Sequence, residues 1–164
     1  MSKCIECNLA NKCRTNKITG NGNDNPDIMI VLDHPSRTED NFGRILQGEI
    51  KAKLLYFLEK SNIDFNDVYF TNAIKCKPTN SSDIKQKNIE ACRKYLLTEI
   101  YFTRPRVIIP MGKYANWALS EKQSIKEFRG HFDFFNLKVN EEKLKIPILP
   151  TFSVLNSLSK WELD

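Results

Sequence analysis

Residues 28–32, Ile-Met-Ile-Val-Leu, form an apolar run with no polar break. A strand exposed on one face alternates apolar and polar residues, so an unbroken run predicts a strand buried on both faces. Asp33-His34-Pro35-Ser36 ends the run, and polar loop is expected from there to Gly48. Residues 49–61 carry Leu54, Leu55 and Leu58 at helical spacing, 68–74 is β-rich, and 85–102 is helical. A second short apolar strand covers 107–109, 114–119 fits a helix, and 132–139 and 146–149 fit strands. The Gly/Asn-rich segment 18–26 reads as loop. Strands alternating with helices predict an α/β fold whose parallel sheet is covered on both faces. Ligands of such sheets bind beyond the carboxyl ends of the strands. Here those ends are 33–36, 71–77, 110–113 and 150–153.

A chain of 164 residues, 41% apolar and 27% charged, is long enough for one domain with a substantial core. No run approaches the ~20 apolar residues of a membrane span. Met1-Ser2-Lys3-Cys4 offers no apolar signal region, so a cytoplasmic protein is expected and a membrane partner is not. The net charge is +5, too mild to establish a nucleic-acid partner by itself. Between Ile74 and Arg106, however, eight basic residues face three acids, which accounts for the whole excess. Such a stretch suits a polyanion partner, or else forms a solvated helix face.

Cysteines stand at 4, 7, 13, 76 and 92. An odd count without a signal peptide argues against a disulfide framework and for an intracellular chain. Cys4-Ile-Glu-Cys7 lets two thiolates reach one metal from a tight turn, and Cys76 with Cys92 can complete a four-thiolate set. Cys92 shares the apolar side of its helix with Ile89, Leu96 and Ile100, so a buried core thiol is the other reading. Four thiolates suit zinc or an iron–sulfur cluster, and the spacing does not choose. Cys13 is left without a role.

Further fragments follow one another in a specific order. They are Cys4-x-x-Cys7, Arg14-Thr-Asn16, the strand and loop 28–40, Gly43-Arg44, Gly48 and Val68-Tyr-Phe-Thr-Asn-Ala-Ile-Lys-Cys-Lys-Pro78. Glu90-Ala-Cys92, Tyr95-Leu96, Pro105-x-Val-Ile-Ile109, Gly112, Ala115, Arg129-Gly130 and Pro150-Thr-Phe152 continue the series. In order and spacing, from Cys4 to about Leu158, they resemble the family 4 uracil-DNA glycosylases, the iron–sulfur branch of that superfamily. The resemblance implies a three-layer α/β/α fold with a central, mainly parallel sheet. It also implies one such domain over 1–164 with an N-terminal cluster-binding segment. Cys4, Cys7, Cys76 and Cys92 match the ligands of a structural [4Fe–4S] cluster, with zinc the second choice. The family usually continues with a further helix where this chain reaches Asp164, which implies a minimal domain or one joined to something else.

At the catalytic motifs the match is looser. The family's Gly-Glu-(Gly/Ala)-Pro-Gly is Leu32-Asp33-His34-Pro35-Ser36 here, keeping an acid at Asp33 and a second at Glu39. Bulk in place of glycine narrows the approach of backbone to a base. Leu46 replaces a base-stacking Phe, and Asn72 matches the base-reading Asn, whose amide suits the imide edge of uracil. On sequence alone, Asn72 also reads as a strand-end turn residue. The family's Pro-Thr-(Tyr/Phe)-His-Pro becomes Pro150-Thr-Phe-Ser153-Val154, so Ser153 replaces an electrophilic histidine, and His34 is a candidate substitute from across the pocket. The implied activity is hydrolysis of the N-glycosidic bond of uracil, or a related deaminated base, in single-stranded or uracil-containing DNA. Asp33, Glu39 and Ser153 would be catalytic, and Asn72, Leu46 and His34 base-binding. Lys75, Lys77 and Arg129 would hold DNA. The alternative is a catalytically silent member binding DNA or a replication or repair protein, favoured by Ser153, Leu46 and the bulky 32–36 loop.

Overall fold

The apolar run folds as strand β2 (Ile28–Leu32) at the centre of a sheet, in a computed structural model that describes residues 4–13, 15, 17–121 and 125–154. Its parallel neighbours are β3 (Val68–Asn72) and β4 (Val107–Met111). Register pairs Leu32 with Asn72 on one side and with Met111 on the other. Beyond β4 comes β6 (Glu142–Ile148), parallel to it, and then β5 (Asp133–Val139), antiparallel to β6. A two-residue β1 (Asn21–Gly22) closes the other edge antiparallel to β3, where loop was expected. The described order is β1-β3-β2-β4-β6-β5, mainly parallel as predicted.

Helices cover both faces. On one, α3 (Gln86–Thr103) and α4 (Lys113–Ser120) bury Ile89, Cys92, Leu96, Ile100, Ala115 and Leu119 against Met29, Val31 and Tyr69. On the other, α2 (Glu49–Lys60) buries Ile50, Leu54 and Leu58 against Ile30, Leu32, Val68 and Phe70. The three-layer arrangement follows from the sequence: strands without polar residues need cover on both faces. None of the described helices is long and apolar enough to cross a membrane.

The expected loop 33–48 contains a helix, α1 (Arg37–Phe42). Ser36 caps it, accepting from the Glu39 N–H, while the Glu39 carboxylate accepts from the Ser36 N–H at 2.8 Å. This reciprocal capping box stabilises a helix too short to show apolar periodicity. A four-residue α5 (Ile125–Phe128) precedes β5. Arg14, Asn16 and the end of the resemblance at 155–158 lie outside the described residues.

Candidate functional site

The carboxyl ends of β2, β3 and β4 and the segment after β6 open on one side of the sheet. Thr151 prolongs the sheet beside Met111, with Gly112 N–H donating to Thr151 O at 3.0 Å and Thr151 N–H to Pro110 O at 2.9 Å. This pairing brings Phe152–Val154 opposite the 33–36 loop. Between them lies a cavity of about 310 Å³ whose walls include Asp33, His34, Ser81, Tyr114, Phe152 and Ser153. The structure therefore unites Asp33, His34 and Ser153, three of the residues expected there.

Asp33 is held by α4. Its Oδ1 accepts from the backbone N–H groups of Tyr114 and Ala115, each at 2.8 Å, and so caps that helix from another strand. Burial pushes its pKa above the ordinary aspartate range, while the Ala115 N–H, the His34 ring and the Tyr114 N–H work against the shift. Both amides use Oδ1, which leaves Oδ2, packed beside Gly112, as the oxygen not engaged by α4. Next to Asp33, His34 Nδ1 lies 3.1 Å from Pro35 O and Nε2 lies 2.9 Å from Ser81 Oγ. A carbonyl only accepts, so the first contact requires the proton on Nδ1. Tyr114 OH donates to Ser81 O at 2.6 Å and fixes the same turn. Ser81 and Tyr114 had no sequence signal, since a short turn at Ser81–Asp83 brings them together.

Asn72 ends β3 and is fully buried. Period-two alternation puts it on the face of Val68 and Phe70, with Leu32, Ile50 and Val154 nearby in the same apolar layer. Neither its Oδ1 nor its Nδ2 has a hydrogen-bond partner among the described residues. A buried amide left in this state costs about 1–3 kcal/mol per group, which argues against the plain turn-residue reading.

Three expectations need correction. Glu39 is fully buried and its carboxylate is already used, Oε2 by Ser36 N–H and Oε1 by Leu46 N–H at 2.7 Å. It clamps the loop instead of facing the cavity. Leu46, at φ 61°, packs into the layer with Leu32 and Val154 and lines a separate cavity with Arg44, Gln47 and Lys51. Lys75 is 1% exposed and cannot reach a phosphate. Its Nζ donates to Glu99 Oε2 at 2.6 Å and to Thr71 Oγ1 at 2.5 Å, and Glu99 Oε1 accepts from Gly20 N–H. Lone lysine burial is costly, and Glu99 offsets that cost. Nor is the basic stretch a free patch: Arg93, Lys94, Arg104 and Arg106 pair with Glu121, Glu6, Glu142 and Asp27. Lys77 is half-buried, its Nζ donating to Pro78 O, and Arg129 is exposed with its guanidinium 4.7 Å from the Phe152 ring at the cavity wall.

The cysteines gather at the amino-terminal half of α3, on the face away from Asn72. Cys76 and Cys92 are buried, and Cys7 and Cys13 pack against the same cluster. Tyr95 OH donates to Cys4 Sγ at 3.5 Å, and the Lys94–Glu6 ion pair holds the Cys4–Cys7 turn to α3. Burial pushes the Cys76 thiol up to about 12 and the Cys92 thiol to about 11, so both are protonated without a metal. Among the described residues, no three His, Cys, Asp or Glu side chains converge closely enough to hold a single metal ion.

The profile of the uracil DNA glycosylase superfamily matches residues 19–162. The sequence is 34% identical over 157 residues to a type-4 uracil-DNA glycosylase of Saccharolobus solfataricus, covering 92% of this chain and 70% of that one. A type-4 uracil-DNA glycosylase of Archaeoglobus fulgidus is 35% identical over 112 residues, 68% of this chain and 56% of its own length. One from Thermotoga maritima is 34% identical over 133 residues, with coverage of 80% and 69%.

Proposed function

Given that the chain belongs to the uracil DNA glycosylase superfamily, we propose that it excises uracil, or a related deaminated base, from DNA by hydrolysing the N-glycosidic bond. The observation that carries this is Asn72. Its buried Oδ1 and Nδ2 have no hydrogen-bond partners among the described residues, and a carboxamide so placed satisfies an imide edge, donating to a carbonyl and accepting from an N–H.

A base flipped out of single-stranded or uracil-containing DNA enters between the 33–36 loop and Phe152–Val154. Cleavage passes through an oxocarbenium-like sugar. Asp33 Oδ2 faces that charge or orients the attacking water, and Ser153 donates to the departing base. His34 stands on the facing wall, but its Nδ1 proton goes to Pro35 O and its Nε2 meets Ser81 Oγ, so it donates to a base only if it gives up one of these contacts. Exchanging an electrophilic donor for a weaker one costs on the order of 10²–10³ in rate, so slow turnover is expected with Ser153. Arg129 and Lys77 hold phosphates at the rim.

Cys4, Cys7, Cys76 and Cys92 would hold a [4Fe–4S] cluster. What supports this is that the thiols gather around the amino-terminal half of α3, with Cys76 and Cys92 buried and Cys4 and Cys7 half-buried. Four thiolates also suit zinc, and it is the resemblance to the iron–sulfur branch of the superfamily that favours the cluster. When bound, the cluster would supply a structural crosslink from the N-terminal turn to β3 and α3.

The second reading is a silent glycosylase fold that binds DNA or a repair partner. It is favoured by the internal use of both Glu39 oxygens. Single-turnover assays on uracil-containing single- and double-stranded DNA, with Asn72→Ala beside the wild type, separate the two. Abasic sites that vanish in the variant establish the enzyme. No product alongside salt-sensitive DNA binding establishes the silent fold.

A further inference from the structure

Among the described residues, the outward face of the β5–β6 hairpin has no helix packed on it. The apolar layer of α2 reaches β4 through Ile109 and Met111 and has no member on β5 or β6. The hairpin's other face is the buried one, with Phe135, Leu137, Ile146 and Ile148 in the layer of α3 and α4. Alternation turns Phe134, Asn136 and Lys138 outward, and register sets them opposite Pro147, Lys145 and Lys143. Phe134 is 49% exposed, and Phe132, just before the strand, is 69% exposed. Lys145 Nζ lies 4.3 Å from the centre of the Phe134 ring. Lys138 stands directly across from Lys143. Like charges so placed destabilise a sheet. Among the described residues, no carboxylate is paired with Lys138, Lys143 or Lys145. Of the hairpin's acids, Glu142 binds Arg104, Asp133 accepts from the Phe134 N–H, and Glu141 sits in the turn.

We propose that this face is a platform for single-stranded DNA, taking the strand on from the cavity that receives its flipped base. The inference rests on the glycosylase reading above. Flat rings exposed among unpaired ammonium groups identify the ligand. Bases of any sequence stack on aromatic rings while the cations follow the phosphates, and a duplex keeps its base faces in its own stack. The face begins beside the cavity. Gly130 N–H donates to Pro150 O at 3.1 Å, and the Arg129 guanidinium lies against Phe152 of the cavity wall. From Asp133 to Val139 the hairpin continues for about 20 Å, rings first and opposed lysines last. Lys145 covers Phe134 in the free protein. An exposed cation–π contact is weaker than base stacking, so a base moves the ammonium aside toward its own phosphate.

The test is fluorescence anisotropy of the full chain with a labelled, uracil-free dT oligomer over a salt series. The wild type is compared with Phe134→Ala and with Lys138→Gln, Lys143→Gln and Lys145→Gln combined. The triple variant should lower the salt slope by about 2, because each phosphate neutralised on a single strand contributes about 0.7. Phe134→Ala should weaken binding on the order of tenfold and leave the slope unchanged. The triple variant should also melt no lower than the wild type, since opposed charges are removed from an exposed face. Wild-type affinity and slope in the triple variant overturn the inference, as does a wild type with no affinity for the oligomer. Equal losses on single strand and duplex in Phe134→Ala overturn the stacking role. Should Phe134→Ala fail to fold, the triple variant decides the matter. Excision assays on the same proteins keep the two readings apart. A wild type that cleaves uracil while the variants bind unchanged loses only the platform. One that binds through this face without cleaving loses only the glycosylase reading.

Discussion

The carboxylate of Asp33 lies directly on the bare Cα of Gly112. A Cβ built there would stand 2.5 Å from Asp33 Cγ, closer than real Cβ atoms come, and Gly112 has φ 117° and ψ 175°. That backbone region is open essentially to glycine alone. The glycine thus admits the acid, and the acid caps the helix that starts at the next residue.

Gly112→Ala should therefore lose stability by about 1–3 kcal/mol from backbone strain alone, and more from displacing Asp33. Thermal unfolding measures the first effect. Loss of base excision beyond the fraction unfolded measures the second, and wild-type stability would contradict the packing described.

Asp33→Asn separates charge from position. A carboxyl whose pKa is raised on folding binds its proton more tightly when folded, so ionisation costs stability as pH rises through the folded pKa. An asparagine oxygen still accepts from Tyr114 and Ala115 but never ionises. Near neutral pH the variant should melt at or above the wild-type temperature. The difference should close as pH falls below the ordinary aspartate range, where both proteins are uncharged at this position. Excision should fall by on the order of 10²-fold, and full activity would reduce Asp33 to a helix cap.

Glu39→Ala removes the acceptor of two backbone amides, one of them on Leu46 at a positive φ. Hydrogen bonds to a charged group contribute about 1.5–3 kcal/mol each, so about 3 kcal/mol or more should be lost in urea unfolding. Glu39→Ala as stable as the wild type would show that the loop does not need the clamp.

Glu99→Ala strands a buried Lys75 and should cost about 3–5 kcal/mol, whereas replacing both partners with apolar residues should cost far less. The paired replacement should leave the salt dependence of DNA binding unchanged. Arg129→Ala should lower that slope by about one. A changed slope in the double variant would return Lys75 to the DNA surface.

The strands were legible because their signal is local. Ile28–Leu32 reads as buried from composition alone, and helix spacing around Leu54 and Leu96 located α2 and α3. The helix Arg37–Phe42 was read as loop because its six residues, five of them polar, show no apolar periodicity, and only the capping contacts of Ser36 and Glu39 reveal it. What sequence could not yield are pairings across distance. Lys75 reads as surface until Glu99 is placed beside it, and the basic stretch reads as a patch until Glu142 and Asp27 neutralise its end. Cys13 had no role in the spacing, and its packing against the cluster that holds Cys76 and Cys92 exists only in the folded chain.

The bridge between Met111 and Thr151 has a consequence for biosynthesis. One wall of the cavity is made by Leu32, Asp33 and His34 and the facing one by Phe152, Ser153 and Val154, so contacts far apart in the chain must form before a base can be received. Such non-local pairing slows folding. On the ribosome, the sheet core of β2 and β3 can assemble early, but a nascent chain shorter than Val154 has no closed site. Ligand capture is therefore acquired only after the six described strands have been made.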